Sequence, residues 1–223
     1  MSAVFPLGTA FLPGDRVVLR VFEERYLRMV ADLENTGERE FVSVLIERGS
    51  EVGGGDRRFA NGVGITVEDI HHSDGVCVIV GTATRAVRIV RWLDDAPYPR
   101  AETAPGGWEP MSLASLRDAA SAVTLLAQAA RVLLARHGFE ESGSPHPLAD
   151  RLSTVASGGW FGTDPLQAEV ERAFWTVARC VPCGPLDRHG FLLEPDGRTA
   201  VRKLKSVIEH TDEVLSFGMR DER

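Results

Sequence analysis

The sequence predicts an α+β protein in which a strand-rich region comes first and a helical region follows. Short apolar runs with a period of two, separated by turn residues, fill most of the first region. Proline and glycine interrupt all periodicity at residues 94–107, and beyond them apolar residues recur at spacings of three and four. We therefore expect a compact, barrel-like β domain at residues 1–103 and an α-helical bundle at residues 104–223.

About six strands and one early helix are predicted in the first region. Turn signals at residues 5–8 and 11–14 bracket a short strand, and residues 17–22 alternate as a half-buried strand does. The apolar residues between Tyr26 and Leu33 then recur at helical spacing. Further strands are predicted at residues 41–46, 63–67, 76–81 and 84–92, with a hairpin turn at residues 73–75.

Four helices are predicted in the second region. Ser112 is placed to cap a long helix that ends at Gly138. Asp164 and Pro165 indicate the start of another, because the aspartate accepts free amide hydrogens and proline needs no acceptor at the first helical position. The remaining predicted helices occupy residues 147–156 and 199–217. Helices of this kind are not stable alone, so they are expected to pack on one another or on the barrel.

Charge and composition exclude several classes of protein. The chain has 223 residues and a net charge of -7, and neither half carries the basic excess that favours contact with a phosphate backbone. No apolar run is long enough to span a membrane, and no basic-then-apolar leader follows Met1. Three cysteines without framework spacing fit a reducing compartment. We therefore expect a cytoplasmic protein that does not associate with membranes, and the charge disfavours sequence-independent binding of nucleic acid.

Several stretches of the first region together resemble a known family. They are Phe-Pro-Leu-Gly at residues 5–8, Phe-Leu-Pro-Gly at 11–14, the alternating strand with the helix start at 17–30, the strand and glycine loop at 44–56, and the strand end at 88–93. These stretches are similar to the N-terminal, substrate-binding domain of Lon proteases. The resemblance implies a PUA-like β pseudo-barrel followed by a helical bundle, in a domain that engages substrate and carries no catalytic residues.

The motor and protease parts of a Lon protease have no counterpart in this sequence. An ATPase needs a G-x-x-x-x-G-K-[ST] loop, and a Lon-type protease needs a serine paired with a lysine. The only lysines are Lys203 and Lys205, and no glycine-rich loop precedes either. We therefore predict a stand-alone recognition module that is not an enzyme and uses no cofactor.

The predicted ligand is unfolded or partly unfolded polypeptide, held by apolar contact and by strand addition at an open edge of the barrel. A protease or a chaperone is the predicted partner if the chain acts as an adaptor; the sequence indicates no oligomeric state. Three glycines in the loop permit positive φ and close approach of another backbone, although a loop without a ligand has the same composition. Candidate contact residues are Phe22, Tyr26, Met29, Arg48, Gly53, Gly54, Gly55 and Asp56.

Two other functions compete with polypeptide binding. A PUA-like barrel also suits RNA recognition, which would need a cationic face such as one built from Arg57, Arg58, Arg85 and Arg88. A metal or redox function would rest on the Cys-x-x-Cys pair Cys180 and Cys183 with His189. Those residues supply only three of the four ligands that zinc needs, and the cysteines end a helix, where the dipole opposes the thiolate. His71, His72 and Cys77 could form a nucleophile with its base or a metal cluster, but adjacent histidines of a strand face opposite sides and no third group is placed to orient them.

Overall fold

A computed structural model describes residues 1–49, 55–139 and 163–221. The chain forms two compact units, Met1–Gly107 and Trp108–Arg223. The first unit contains, in order, β1 (Ser2–Leu7), β2 (Arg16–Val21), α1 (Glu24–Thr36), β3 (Glu40–Arg48), β4 (Arg57–Ser73), β5 (Val76–Trp92) and β6 (Arg100–Pro105). The second contains α2 (Leu113–Arg136), α3 (Thr163–Cys180), α4 (Pro185–Phe191) and α5 (Gly197–Asp221).

Five strands of the first unit form a closed ring, and a sixth is attached to it. The strand order is β2-β5-β4-β3-β1-β6, and β6 pairs again with β5. Only β1 and β3 are parallel. The long strand β5 pairs with β2 through Cys77–Thr82 and with β6 through Val87–Trp92. As a result, β2 is bonded to one strand only within the described sheet.

Close backbone contacts and bulges bend the long strands into the ring. The β4–β5 register shifts between Gly64 and Ile65 and again between Val67 and Asp69. At Gly62 of β4, a Cβ atom would collide with the carbonyl oxygen of Ser43 on β3. Glycine is therefore required at Gly62 for β3 and β4 to approach this closely.

Apolar side chains fill the ring and the space beneath α1. The ring encloses the buried cluster of Val4, Val42, Val44, Val87, Ile89 and Ala101. Helix α1 presents Tyr26, Met29, Val30 and Leu33 as its buried face. The ring of Tyr26 stacks on Phe5 with centroids 4.1 Å apart, and Phe5 in turn contacts Phe41. The amphipathic stripe of α1 is thus a packing surface of this unit.

The helical unit is built around α2 and an aromatic cluster. Ser112 caps α2 by accepting the backbone N–H of Ser115 at 3.2 Å. The rings of Trp108, Trp175 and Phe191 surround Phe174, with centroid distances of 4.9 to 6.0 Å. Of the helices that the structure describes, α2 alone has the length and apolar composition of a membrane span, but the same composition is typical of a core helix. Its buried residues include Leu116, Val123 and Leu133.

The predicted α+β class is confirmed, and several elements differ in extent. The first strand lies at Ser2–Leu7, before the first turn signal, and the stretch between the two signals contains no strand. The predicted strands 76–81 and 84–92 are one seventeen-residue strand, β5. Strand β6 and helix α4 were not predicted individually. The units divide after Gly107 because β6 continues to Pro105. The predicted helix 147–156 lies outside the described residues.

Candidate functional site

Strand β2 offers an open edge together with exposed apolar side chains. Its residues alternate between exposed and buried, and the alternation continues one residue further to Phe22. On the outer row, Val18 is 61% exposed and Phe22 is 55% exposed. The inner row of Val17, Leu19 and Val21 is buried in the core. The strand is therefore anchored by one face and one edge, and its other face and edge are accessible.

The apolar surface continues from β2 onto β5. Val18 lies opposite Val80, and Arg20 lies opposite Val78, in the antiparallel β2–β5 register. Both β5 valines are partly exposed. Side chains directly opposite one another on an antiparallel pair share a face and lie close together. Val18, Val78 and Val80 thus form an apolar strip at the end of the sheet, which we call the β2 strip.

Of the three predicted contact residues in and before α1, one is exposed and two are buried. Phe22 is exposed beside the β2 strip, as a contact residue must be. Tyr26 and Met29 are buried in the core, so their side chains form no part of the accessible surface. The prediction that Tyr26 and Met29 contact a ligand is therefore wrong. The helical spacing that they share with Val30 and Leu33 marks the packed face of α1.

The glycine loop between β3 and β4 is described only at its two ends. Gly53 and Gly54 lie outside the described residues, whereas Arg48 and Gly55 are exposed. Gly49 has a φ of 118°, and a Cβ there would lie 3.1 Å from the Cα atom of Asp56. The two ends of the loop therefore approach each other closely, which requires a glycine at this position.

Asp56 is held in a network of ion pairs that we call the Arg58 clamp, in which Asp56 and Arg58 are buried and Asp95 is half-exposed. The guanidinium of Arg58 donates to Asp56 at 2.6 Å and to Asp95 at 2.5 and 3.0 Å. Its side chain is 8% exposed and lies over the ring of Trp92, 5.2 Å from the centroid. A planar guanidinium bonded to two carboxylates and stacked on an indole is fixed in position. The clamp thereby ties the start of β4 to the segment that follows β5.

Electrostatics keep the clamp ionised. Burial is the largest single influence and raises the pKa of the Asp56 carboxyl, but the hydrogen bonds from Arg58, a backbone hydrogen bond and the charge of Arg58 act together to hold that pKa below its usual value. Burial lowers the pKa of Arg58, and its bonds to Asp95 and Asp56 more than reverse this. The charge of Arg25, at the start of α1, lowers the pKa of Asp56 further. The Asp56–Arg58 pair is therefore held in its charged form as a structural feature.

Tyr26 lies at the edge of this clamp without joining it. The Cζ atom of Arg25 is 4.5 Å from the centre of the Tyr26 ring. Burial raises the pKa of the Tyr26 hydroxyl to about 12. Among the described residues this hydroxyl has no hydrogen-bond partner. A neutral phenol in such surroundings contributes apolar packing.

The described residues around Cys180 and Cys183 do not form the arrangement expected of a reactive or metal-binding site. Burial raises the pKa of the Cys183 thiol to about 11. The thiol of Cys180 donates to the backbone carbonyl of Thr176 at 3.2 Å, and His189 is buried. No three ligand-type side chains converge for a metal anywhere in the described ranges. The pKa of Cys183 is raised, whereas a nucleophilic or redox-active thiol needs a lowered one.

The histidines of the β4–β5 hairpin interact with carboxylates. The Nε2 atom of His71 lies 3.2 Å from Asp69, and that of His72 lies 3.1 Å from Glu34. Cys77 is fully buried, and burial raises the pKa of its thiol. The arrangement expected of a catalytic cysteine with an activating base is therefore not formed.

The arginines proposed as an RNA-binding face are largely neutralised. Arg57 contacts Glu47 at 2.6 Å, and Arg85 forms two bonds with Glu40 at 2.5 Å. Arg58 is buried in the clamp. Only Arg88 of the four is exposed without an ion pair among the described residues. The clustered positive face that RNA binding needs is not present on these residues.

The fold defines a class of protein. The N-terminal domains of Lon proteins have a similar fold, in which a mixed sheet is followed by helices. The crystal structure of a Lon N-terminal domain protein from Xanthomonas campestris matches with a TM-score of 0.56 and 25% identity, covering 92% of this chain and 96% of that chain. The N-terminal domain of a Lon protease of the Mycobacterium avium complex matches with a TM-score of 0.60 and 14% identity, covering 93% and 97%. The latter likeness concerns the fold alone.

The sequence places the chain in a particular family. The family model of the ATP-dependent protease La (LON) substrate-binding domain matches residues 2–157. No curated protein sequence matches the chain. The chain therefore belongs to the LON substrate-binding domain family, as the stretches at residues 5–8, 11–14 and 44–56 indicated.

Proposed function

We propose that this chain binds unfolded or partly unfolded polypeptide through the open edge of β2 and the apolar side chains beside it. The single observation that supports this most is the position of β2: it ends the sheet order and exposes Val18 and Phe22. An extended client segment would add a strand to this edge by main-chain hydrogen bonds. The β2 strip would meet alternate apolar side chains of the same segment.

The proposed role is recognition without catalysis. The family is that of a substrate-binding domain. This sequence contains no phosphate-binding loop, and neither of its two lysines lies in a context that indicates a catalytic serine–lysine pair. We propose that the chain presents clients to a protease or a chaperone in the cytoplasm. Arg48 and Gly55 belong to this proposal as a second contact region, beside the end of the glycine loop that the Arg58 clamp holds; the side chain of Asp56 is 2% exposed within the clamp, so it supports this region and does not contact the client.

The first experiment tests the apolar part of the surface. Binding of a fluorescently labelled, permanently unfolded polypeptide is measured by anisotropy for the wild type and for the double variant Val18→Ser/Phe22→Ser. Loss of two exposed apolar contacts is expected to weaken binding about tenfold. The matched control is Val90→Ser, because Val90 lies on β5 away from β2 and is 58% exposed. Equal weakening in both variants would contradict the proposed location.

The second experiment tests strand addition. Two peptides of identical sequence are compared, one of them with alternate backbone amides methylated along the edge that would face β2. Methylation removes main-chain donors and leaves the side chains intact, so strand addition predicts loss of binding. Retention of full affinity would show that apolar contact alone holds the client and would rule out the added strand.

A further inference from the structure

The outer row of β2 alternates cationic and apolar side chains. Arg16, Val18 and Arg20 share one face of the strand because successive residues of a strand point to opposite sides, and Phe22 continues the alternation. An added strand would place its own alternate side chains opposite these residues. The charge pattern of β2 is therefore expected to influence which sequences can be added as a strand at this edge.

The two arginines differ in how strongly they are already engaged. Arg16 lies 3.8 Å from Glu68, and both side chains are well exposed. Glu68 also accepts the hydroxyl hydrogen of Thr82 at 2.5 Å. Arg20 makes no ion pair with any residue that the structure describes. Arg20 is thus the more available cation on the outer row, and Arg16 can exchange a weak surface pair for another.

The same charges disfavour a second copy of the chain as the occupant of this edge. In an antiparallel pair of two β2 strands centred on Val18, Arg16 of one copy would lie opposite Arg20 of the other. Like charges directly opposite one another on a sheet are destabilising. Charged residues on an edge strand are also a common means of preventing pairing between identical edges. An occupant with acidic side chains at these positions is favoured over one with cationic side chains.

We infer that β2 selects extended client segments whose alternate residues are acidic and apolar, with the acidic side chains opposite Arg16 and Arg20. This inference rests on the proposed function and specifies the chemistry of its ligand. The acidic positions would pair with the guanidinium groups, and the apolar positions between them would contact Val18 and Phe22. The residues that point to the other face of the added strand are left unrestricted.

The test uses three labelled peptides that differ only at the two positions expected to face the arginines. Those positions carry Glu, Gln or Lys, and the alternate positions between them carry Val and Phe in all three. The full-length chain is expected to bind the Glu peptide about fivefold more tightly than the Lys peptide at low ionic strength, with the Gln peptide between them. The difference should shrink as salt is added.

Charge reversal of the arginines identifies the residues responsible. Arg20→Glu is expected to abolish the preference, and Arg16→Glu/Arg20→Glu to reverse it, while affinity for the Gln peptide changes less than twofold. Arg88→Glu is the matched control, since Arg88 is an exposed cation of the same unit, opposite Asn61 and Ala104, and its reversal changes the net charge equally. Circular dichroism checks that each variant is folded.

The outcomes separate the inference from the function on which it rests. If the wild type binds all three peptides equally, polypeptide binding stands and the acidic selectivity is overturned. If no peptide binds, the proposed function itself fails. Equal loss of preference in Arg20→Glu and Arg88→Glu would mean that only the overall charge matters. If Arg20→Glu self-associates and its preference for the Glu peptide is unchanged, the role of Arg20 is to prevent pairing between the β2 edges of two copies. Either result overturns the inference.

Discussion

Two regions of the barrel unit use arginine in opposite ways. At the start of β4, Arg58 is buried, bonded to two carboxylates and stacked on Trp92. On β2, Arg20 is exposed and has no ion pair among the described residues. A guanidinium bonded to two carboxylates stabilises the fold, whereas an exposed one without an ion pair remains able to bind a ligand. The Arg58 clamp is thus a structural cluster, whereas the outer row of β2 is available to bind a ligand.

The largest effect is expected on removal of the clamp. Arg58→Leu leaves Asp56 buried without its counter-ion, so the free energy of unfolding should fall by about 3 kcal/mol. Urea denaturation measures this change. The control is the neighbouring Arg57→Leu, whose side chain is 76% exposed, and which should cost less than about 1 kcal/mol. Similar losses in the two variants would show that the clamp contributes no more than a surface pair.

The next effect is on the pH dependence of stability. The folded-state pKa of Asp56 is lowered, so its ionisation stabilises the fold above the ordinary aspartate pKa, and that stabilisation is lost as pH falls through the folded value. Asp56→Asn should therefore be less stable than the wild type at neutral pH by about 2 kcal/mol. The gap should narrow under acid conditions, as followed by denaturation midpoints across pH. A gap that is constant with pH would refute this role.

A smaller effect, of opposite sign, is expected at Tyr26. Its hydroxyl is buried without a hydrogen-bond partner among the described residues, and the ring stacks on Phe5. Tyr26→Phe keeps the ring and removes the unsatisfied group, so it should raise stability by about 1 kcal/mol. Thermal unfolding measures the change. A loss of stability would indicate that the hydroxyl has an acceptor.

The smallest effect on stability is expected on the outer row of β2. Val18→Ser should change the free energy of unfolding by less than about 0.5 kcal/mol, since the side chain is largely in solvent. The adjacent Val17→Ala, on the buried row, should cost about 2 kcal/mol. The contrast is measured by urea denaturation. A large cost at Val18 would mean that its side chain stabilises the fold, so that weaker binding could not be assigned to a lost contact.

Sequence patterns predicted the fold class, but they located the candidate binding surface only in part. The stripe containing Tyr26 and Met29 shows that these residues share a face of α1, but spacing alone does not say whether that face is covered. Ring closure depends on the pairing of β1 with β6, in which Ser2 lies opposite Ala101; these segments are far apart in the sequence, so no local pattern contains this pairing. Arg57 and Arg58 differ because neighbouring strand residues face opposite sides, and the burial of Arg58 depends on Asp95, far away in the sequence.

The single attachment of β2 has a consequence for motion. The ring strands are each held on two sides, whereas β2 is bonded through Arg16–Val21 to β5 only, and the ring remains closed without it through the pairing of β5 with β6. Local opening of β2 therefore breaks fewer contacts than opening of any ring strand, and its amide hydrogens should exchange with solvent earlier than those of β3. The edge that we propose as the client-binding site is then also expected to be the first part of the barrel to open.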